Sequence, residues 1–188
     1  MKRDGLKPAS RIAAVLVVGL TFFIINCAAA AEPIDADCTA PEPSTRPAVT
    51  RSDLDRLIGW IALKTDYDLR SVYHDPPEIV FCQVGEVVDY EAEGLLVDEI
   101  LAAAYDLSRR RIYLVQPWTS EEPFDVSVLL HELIHAVQLD NRDWPCLGAP
   151  EWEAYTLQFL WLQDQGITPN FDWSTIYKLS QCPAITGN

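Results

Sequence analysis

Residues 131–135 read His-Glu-Leu-Ile-His, and the interpretation of the whole chain starts from this stretch. On a helix, His131 and His135 are about one turn apart and lie on the same face. Two imidazoles placed in this way can bind one Zn²⁺, and Glu132 can act as general base on a zinc-bound water. The alternative is an amphipathic helix whose histidines are ordinary satisfied polar groups. Because two of the three histidines in the chain lie in this motif, we favour the zinc site.

The residues around the motif predict two consecutive helices. Asp125 or Ser127 can cap a first helix that continues to about Leu139 and is apolar on more than one side, as a helix buried in the middle of a domain is. A second helix is expected over residues 150–165, with Gly166 as its stop. A short connection makes such helices antiparallel neighbours, so the fold must bring the start of the second helix back to the histidines.

A catalytic zinc site needs a third protein ligand besides its water. Residues 136–141 contain no histidine, which excludes the H-E-x-x-H-x-x-G-x-x-H arrangement. The other route is a carboxylate from the next helix, where Glu151 and Glu153 lie in the first turn. Either acid could instead be there because a helix N-terminus favours negative charge. The spacing alone leaves both acids open as ligands.

The motif and the E-x-x-A segment that begins at Glu151 together resemble the gluzincin branch of zinc metallopeptidases, over residues 127–160. In that branch the two histidines and the first glutamate of E-x-x-A bind zinc, and the motif glutamate is the general base. The resemblance therefore implies Zn²⁺ held by His131, His135 and Glu151, with Glu132 as catalytic base. Of the two acids in the first turn, it favours the first.

The resemblance also implies a fold. We expect an α+β chain with a single zincin-like domain, in which a small antiparallel sheet packs on the active-site helix and the following helix. In such folds an edge strand before the active-site helix holds extended peptide substrate by main-chain pairing, and residues 111–115 fit that strand. Tyr155 departs from several relatives, which carry an acid or amide after the alanine. No residue is therefore assigned to the contact that orients the histidines.

Periodicity predicts the remaining elements. We expect an amphipathic helix over 53–64 that starts after Ser52, a strand over 79–84, a hairpin of 100–105 with 111–115, and a short helix over 173–179. The alanines at 102–104 fit a helix equally well. Residues 65–77 read as a loop, and residues 85–96 are ambiguous.

The first 31 residues form a targeting segment. A basic start, an apolar run from Ile12 to Ile25 and small residues up to Ala31 are typical of a secretory signal peptide cleaved near Ala31. The alternatives are an uncleaved membrane anchor and a lipoprotein acylated on Cys27. No later stretch is apolar enough to span a bilayer, so we expect an exported protein, periplasmic or secreted, with no membrane span after cleavage.

The remaining chain divides into a proline-rich leader at 32–50 and one domain at 51–188, a length that supports a real core. Four cysteines follow the signal, and an oxidising compartment favours two disulfides among them. Of the three possible pairings we favour Cys38–Cys82 with Cys146–Cys182.

The acidity of the mature chain limits its partners. The net charge is −14 overall, and the first 31 residues carry +3, which leaves −17 on the rest. So acidic a protein is not expected to bind nucleic acid or an anionic membrane surface. We expect a monomer that acts on a peptide or protein substrate.

Three functional hypotheses remain. The first is zinc-dependent hydrolysis of peptide bonds by a small exported metallopeptidase, in which Glu132 activates a zinc-bound water. The second is a non-catalytic zincin-like binding or structural protein of the cell envelope, and the third is a metal-free interaction domain. Tyr155 and Tyr177 are candidate donors to an oxyanion, although buried tyrosines are common. His74 could polarise a carbonyl in the transition state. A lone loop histidine is more often simply exposed.

Overall fold

The computed structural model describes residues 49–183, in which five helices and five strands form an α+β fold. The helices are α1 (Arg51–Lys64), α2 (Arg70–His74), α3 (Pro123–Asn141), α4 (Glu151–Asp164) and α5 (Trp173–Leu179). The strands are β1 (Glu78–Cys82), β2 (Val87–Tyr90), β3 (Glu93–Leu96), β4 (Ala103–Asp106) and β5 (Arg111–Val115). No helix in this range is long and apolar enough to cross a membrane. The predicted signal peptide and nearly all of the leader lie outside the described residues.

The main sheet has the order β1-β5-β4, and this corrects two expectations. First, the sheet is mixed rather than antiparallel, because β5 pairs parallel with β1 and antiparallel with β4. Second, residues 111–115 form the central strand and not an edge. The strands at the edges are β1 and β4, and β4 packs on α3. The predicted hairpin of residues 100–115 is confirmed, with the alanines at 103–104 in the strand.

The sheet separates two layers. Side chains alternate along a strand, so Ile112 and Leu114 of β5 point to the core around α3, whereas Tyr113 points to the opposite face. That second face is covered by the antiparallel hairpin of β2 and β3, in the segment that the sequence left ambiguous.

Helix α3 lies in the middle of the domain, as its apolar pattern predicted. Its buried residues on several sides meet α1, α4, β4 and β5. The predicted caps are wrong, since the helix starts at Pro123 with Glu122 in the cap position. Asp125 instead accepts from the Thr119 N–H (2.8 Å), and Ser127 donates to the Phe124 carbonyl (2.7 Å).

The first helix also starts earlier than predicted. Thr50, rather than Ser52, is its cap, and the Thr50 and Asp53 side chains each bond to the main-chain N–H of the other in a capping box. The expected loop at 65–77 contains the short helix α2. Helix α4 runs close to its predicted span, with Gly166 in the left-handed region just after it (φ 79°), and α5 spans the predicted residues.

A disulfide joins the connection between α3 and α4 to the segment after α5. The predicted Cys146–Cys182 bond is present, while Cys82 is buried and its predicted partner Cys38 lies outside the described residues. Gly148 lies against the end of α5, where any Cβ would collide with the Leu179 carbonyl oxygen. The start of α4 and the end of α5 are thus held together by a covalent bond and a close main-chain approach.

Candidate metal centre

Three side chains converge between α3 and α4. The Nε2 atoms of His131 and His135 are 3.0 Å apart, and the Glu151 carboxylate oxygens lie 3.4 Å and 3.3 Å from them respectively. All three residues are buried. Two metal–ligand bonds of about 2.1 Å at a tetrahedral angle span about 3.4 Å. The three groups are therefore spaced to hold one metal ion.

Helix geometry explains the convergence. The histidines follow each other at i and i+4 on α3, and Glu151 is the first residue of α4, which packs on α3. Gln138 on α3 donates from its Nε2 to the Pro150 carbonyl (3.1 Å), which fixes the start of α4 against α3. Ala154, one turn further on, has no exposed surface, so its small side chain lets the helices approach.

A chain of hydrogen bonds sets the orientation of His131. The Ser127 hydroxyl donates to the Phe124 carbonyl, so its oxygen accepts from Gln158 Nε2 (3.0 Å). The Gln158 amide oxygen then faces His131 Nδ1 at 3.1 Å. Because an amide oxygen can only accept, His131 carries its proton on Nδ1 and its Nε2 presents a lone pair.

The same logic applies to His135. The Pro150 carbonyl can only accept, which directs Gln138 Nε2 towards it and Gln138 Oε1 towards His135 Nδ1 at 3.0 Å. His135 therefore also presents a lone pair on Nε2. Two lone pairs and a carboxylate facing one another in a buried space require a cation between them, either a metal ion or a proton.

Electrostatics agree with that requirement. Burial by itself lowers the pKa of His135, but the Glu151 carboxylate beside it reverses the effect and raises the pKa to about 9. Burial raises the pKa of Glu151, and the two imidazoles outweigh burial and hold it well below its usual value. The centre is thus built to stabilise positive charge, and two imidazoles and one carboxylate are a donor set for a divalent transition metal.

Glu132 lies beside the centre but not in the ligand triangle. It is 4% exposed, and burial raises the pKa of its carboxyl, while the neighbouring imidazoles act in the opposite direction. The main-chain N–H of Tyr105 in β4 also lies near enough to lower the pKa of this carboxyl. The position predicted for a general base is therefore located between the metal ligands and the edge of the sheet.

Two tyrosines lie close to the same carboxylates. The Tyr155 ring packs edge-on against His131 (4.6 Å between centroids), and its hydroxyl has no hydrogen-bond partner among the described residues. The Tyr90 hydroxyl donates to the Tyr105 carbonyl (3.2 Å). Burial, followed by the Glu132 and Glu151 charges among others, raises the pKa of both phenols.

The remaining candidates are not part of this centre. Glu153 points away from it and accepts hydrogen bonds from Tyr67 (2.5 Å), Gln138 (2.8 Å) and Arg142 (3.1 Å). Tyr177 is 57% exposed on α5, and His74 is exposed at the end of α2.

Sequence reasoning missed Gln138, Gln158 and Tyr90. The glutamines could have been found from spacing, because Gln138 is three residues after His135 and Gln158 is seven after Glu151, each on the same helix face. They fill the orienting role for which the sequence assigned no residue. Tyr90 lies in the segment left ambiguous, where no local pattern signalled its place.

Comparison with known proteins gives a family but no function. No curated protein and no solved structure matches this chain at a significant level. The sequence model of DUF6647, described as a domain of unknown function, matches residues 46–186, which is more than half of the chain. The chain therefore belongs to the DUF6647 family.

Proposed function

We propose that this protein is an exported zinc metallopeptidase of the gluzincin type. The observation that carries the proposal is the buried triangle of His131, His135 and Glu151, with Glu132 directly beside it. Three protein ligands are the pattern of a catalytic zinc, whereas structural zinc sites have four. A purely structural metal would also not need a buried carboxylate next to the ligands.

The chemistry follows from the positions of these side chains. A bound zinc ion polarises a carbonyl and makes water acidic enough to attack at neutral pH. Glu132 accepts the proton of the attacking water and delivers it to the leaving amine. One C–N bond is broken, one C–O bond and one N–H bond are formed, and one water is consumed.

The edge of β4 supports a peptide as substrate. The main-chain N–H and C=O of Ala103 point away from β5, and neither has a partner among the described residues. An extended peptide presents the complementary groups, and adding a strand to a sheet edge is a common way to bind one. Because Ala103 is 1% exposed, such a peptide would have to displace the side chains that cover this edge. The edge strand of the proposal is thus β4, which replaces residues 111–115 in that role.

Export is part of the proposal. The Cys146–Cys182 disulfide fits an oxidising compartment, since such bonds are rare in the cytosol. A signal peptide ending near Ala31 predicts a mature chain that begins at Glu32. Amino-terminal sequencing of the secreted or periplasmic protein tests this point, and a chain that retains residues 1–31 would contradict it.

Zinc analysis and one substitution test the function. The purified mature protein should hold about one zinc per chain and cleave peptides in a mixed pool. Glu132→Gln should retain the zinc while turnover falls about 10²- to 10⁴-fold, the usual contribution of a general base. Absence of zinc, or full turnover by the variant, would contradict the proposal. Zinc without turnover in either protein would favour the rival, a non-catalytic zincin-like protein of the cell envelope.

A further inference from the structure

The residues of the metal centre have almost no exposed surface. His131, Glu132, Glu151 and His135 are 1%, 4%, 6% and 8% exposed, respectively. The open cavity beside α2 is lined by other residues and does not lead to them. An ion or a substrate therefore reaches the centre only when an element that covers it moves.

The hairpin of β2 and β3 covers one side of the centre, and polar contacts fasten it there. The Tyr90 hydroxyl donates to the Tyr105 carbonyl (3.2 Å), and the Tyr113 hydroxyl donates to the Asp89 carbonyl (2.7 Å). Arg109 adds an ion pair with Asp89. Moving the hairpin would break these contacts and leave their partners unsatisfied, which is costly in a buried place. The hairpin is therefore the fixed side.

The segment after α4, residues 167–181, is attached in a different way, and we call it the strap. Within the described range of residues 49–183, all hydrogen bonds of residues 168–181 are made with one another. Asp172, for example, caps α5 by accepting from the N–H groups of Ser174 and Thr175 (3.1 Å each). Lifting the strap therefore breaks apolar contacts but no hydrogen bond to the rest of the domain.

These apolar contacts lead directly to the metal centre. The Tyr155 ring packs on His131, and Tyr155 forms a small buried cluster with Ile176 of α5. The side chains that pack against this cluster are those of Ala102, Phe171 and Trp173. The Phe171 and Tyr155 rings are 5.8 Å apart between centroids. The strap thus covers the ring that contacts a proposed metal ligand, and it extends to the start of β4.

Both ends of the strap are fixed, whereas its middle is held lightly. Gly166, in the left-handed region (φ 79°), separates the strap from α4, and Cys182, directly after it, is bonded to Cys146. Of the strap residues, only Pro169 and Ile176 are buried. Regions with few buried apolar contacts open locally at a lower cost than the whole fold. The strap has this character, and its fixed ends confine the motion to its middle part.

We propose that the strap opens about its two fixed ends to admit a ligand to the metal centre and then closes over it. Ile176 sets the population of the open state, because it is the only buried residue of α5. The inference rests on the metal centre of the proposed function and adds how that centre is reached. Opening changes how fast zinc enters and leaves, whereas a role in supporting the ligands would change how tightly zinc is held.

Transfer of zinc from the loaded protein to a fluorescent chelator tests the inference. Ile176→Ala removes contacts that exist only in the closed state, so the transfer should become at least about tenfold faster. Ile176→Val, a smaller truncation, should accelerate it about threefold. The zinc affinity at equilibrium should change by less than about threefold in both variants. An unchanged rate, or a faster rate matched by an equal loss of affinity, would overturn the inference.

The matched control makes the same substitution away from the strap. Ile58 of α1 is fully buried in the main core and does not belong to the cluster around Tyr155. Ile58→Ala should keep the wild-type rate of zinc transfer at a temperature where the variant is folded. If this control accelerated transfer as much as Ile176→Ala, general loosening of the domain would set the rate, and the strap would have no special role.

Chemical modification tests access to the centre without any metal. Diethyl pyrocarbonate acylates imidazole nitrogens, and mass spectrometry of fragments separates His74 from the pair His131 and His135. In the metal-free mature protein, Ile176→Ala should raise the modification rate of the pair at least about tenfold, whereas the exposed His74 should react as in the wild-type protein. Ile176→Val gives the same test if the larger truncation prevents folding. Unchanged rates at His131 and His135 would overturn the inference, even if the protein binds no zinc and the proposed function fails.

Discussion

The interface between α3 and α4 and the outer edge of β4 are both buried next to the Glu132 carboxylate. They differ in whether their polar groups have hydrogen-bond partners within the protein. In the interface, the amide oxygens of Gln138 and Gln158 accept hydrogen bonds from the two histidines. Their amide nitrogens donate to the Pro150 carbonyl and to the Ser127 hydroxyl, respectively. At the edge, Ala103 is 1% exposed and its N–H and C=O have no partner in the described part of the chain.

The difference indicates what each region needs in order to be complete. A fully connected network in a low-dielectric interior is rigid, so the interface holds its donor atoms in place before any ligand arrives. Buried main-chain groups without partners are rare and costly, so the edge is complete only when something else pairs with it. The interface therefore presents a preorganised set of donor atoms for a cation, whereas the edge leaves buried main-chain groups with which the proposed peptide substrate would pair.

The disulfide that braces the interface should have the largest effect on stability. Cys146 and Cys182 are 36 residues apart, and removing such a crosslink costs about 4 kcal/mol through the entropy of the unfolded chain. Urea denaturation of the double variant Cys146→Ala/Cys182→Ala should show this loss of unfolding free energy. A loss below about 1 kcal/mol would mean that the start of α4 is held mainly by packing and by Gln138.

Glu151 and Glu153, the two acids in the first turn of α4, can be substituted in the same way to identify the third metal ligand. With zinc at about a hundred times its dissociation constant, binding should raise the unfolding free energy of the wild-type protein by about 2.7 kcal/mol. Glu151→Gln should lose that gain, because its carboxylate lies against both Nε2 atoms, whereas Glu153→Gln should keep it. Thermal denaturation with and without zinc measures the effect, and the opposite pattern would transfer the third ligand to Glu153.

The orienting network should affect zinc affinity more modestly. Gln158→Ala leaves His131 Nδ1 without its acceptor, and loss of such a contact typically weakens metal binding about 10- to 100-fold. Gln163→Ala, an exposed glutamine of the same helix, should have no effect. Competition with a zinc chelator measures both, and Gln158→Glu should retain affinity because it keeps an acceptor. Equal zinc affinity of Gln158→Ala and the wild-type protein would show that the Gln158 hydrogen bond does not contribute to metal binding.

The smallest effect on stability is expected at the edge itself. Ala103→Pro deletes an N–H that points away from β5, so the ladder of hydrogen bonds stays intact. The unfolding free energy should fall by about 1–2 kcal/mol, the cost of fitting the ring at a buried position. Peptide binding should nevertheless fall about tenfold, with zinc affinity unchanged. The control is Ala104→Pro, which removes a ladder bond and should destabilise the fold by about 3 kcal/mol. Undiminished peptide binding by Ala103→Pro would show that the edge is not used.

Local patterns predicted the helices well and the sheet only in part. The spacing of His131 and His135, the apolar faces of α3 and the glycine after α4 all act within a few residues, and the structure has the expected elements there. The parallel pairing of residues 78–82 with 111–115 joins distant parts of the chain. Nothing in either strand specifies its partner, so residues 111–115 were assigned to an edge when they are central.

The candidate site was predictable to the extent that its residues have distinctive chemistry. Histidine and glutamate at metal-ligand spacing are conspicuous, and the Glu151 carboxylate lies against both imidazoles. The spacing of the orienting glutamines places them on the same helix faces as His135 and Glu151, and their burial in the structure identifies their role. The turn after Tyr90 was not predictable, because it uses two non-glycine residues in left-handed conformations.

The zinc K-edge absorption spectrum of the zinc-loaded protein tests the central claim most directly. We predict two imidazole nitrogens at about 2.0–2.1 Å and oxygen ligands at about 2.0–2.2 Å, with the oxygen shell altered in Glu151→Gln and unchanged in Glu153→Gln. A sulfur shell at about 2.3 Å, or a spectrum without imidazole, would contradict a metal centre built from His131, His135 and Glu151.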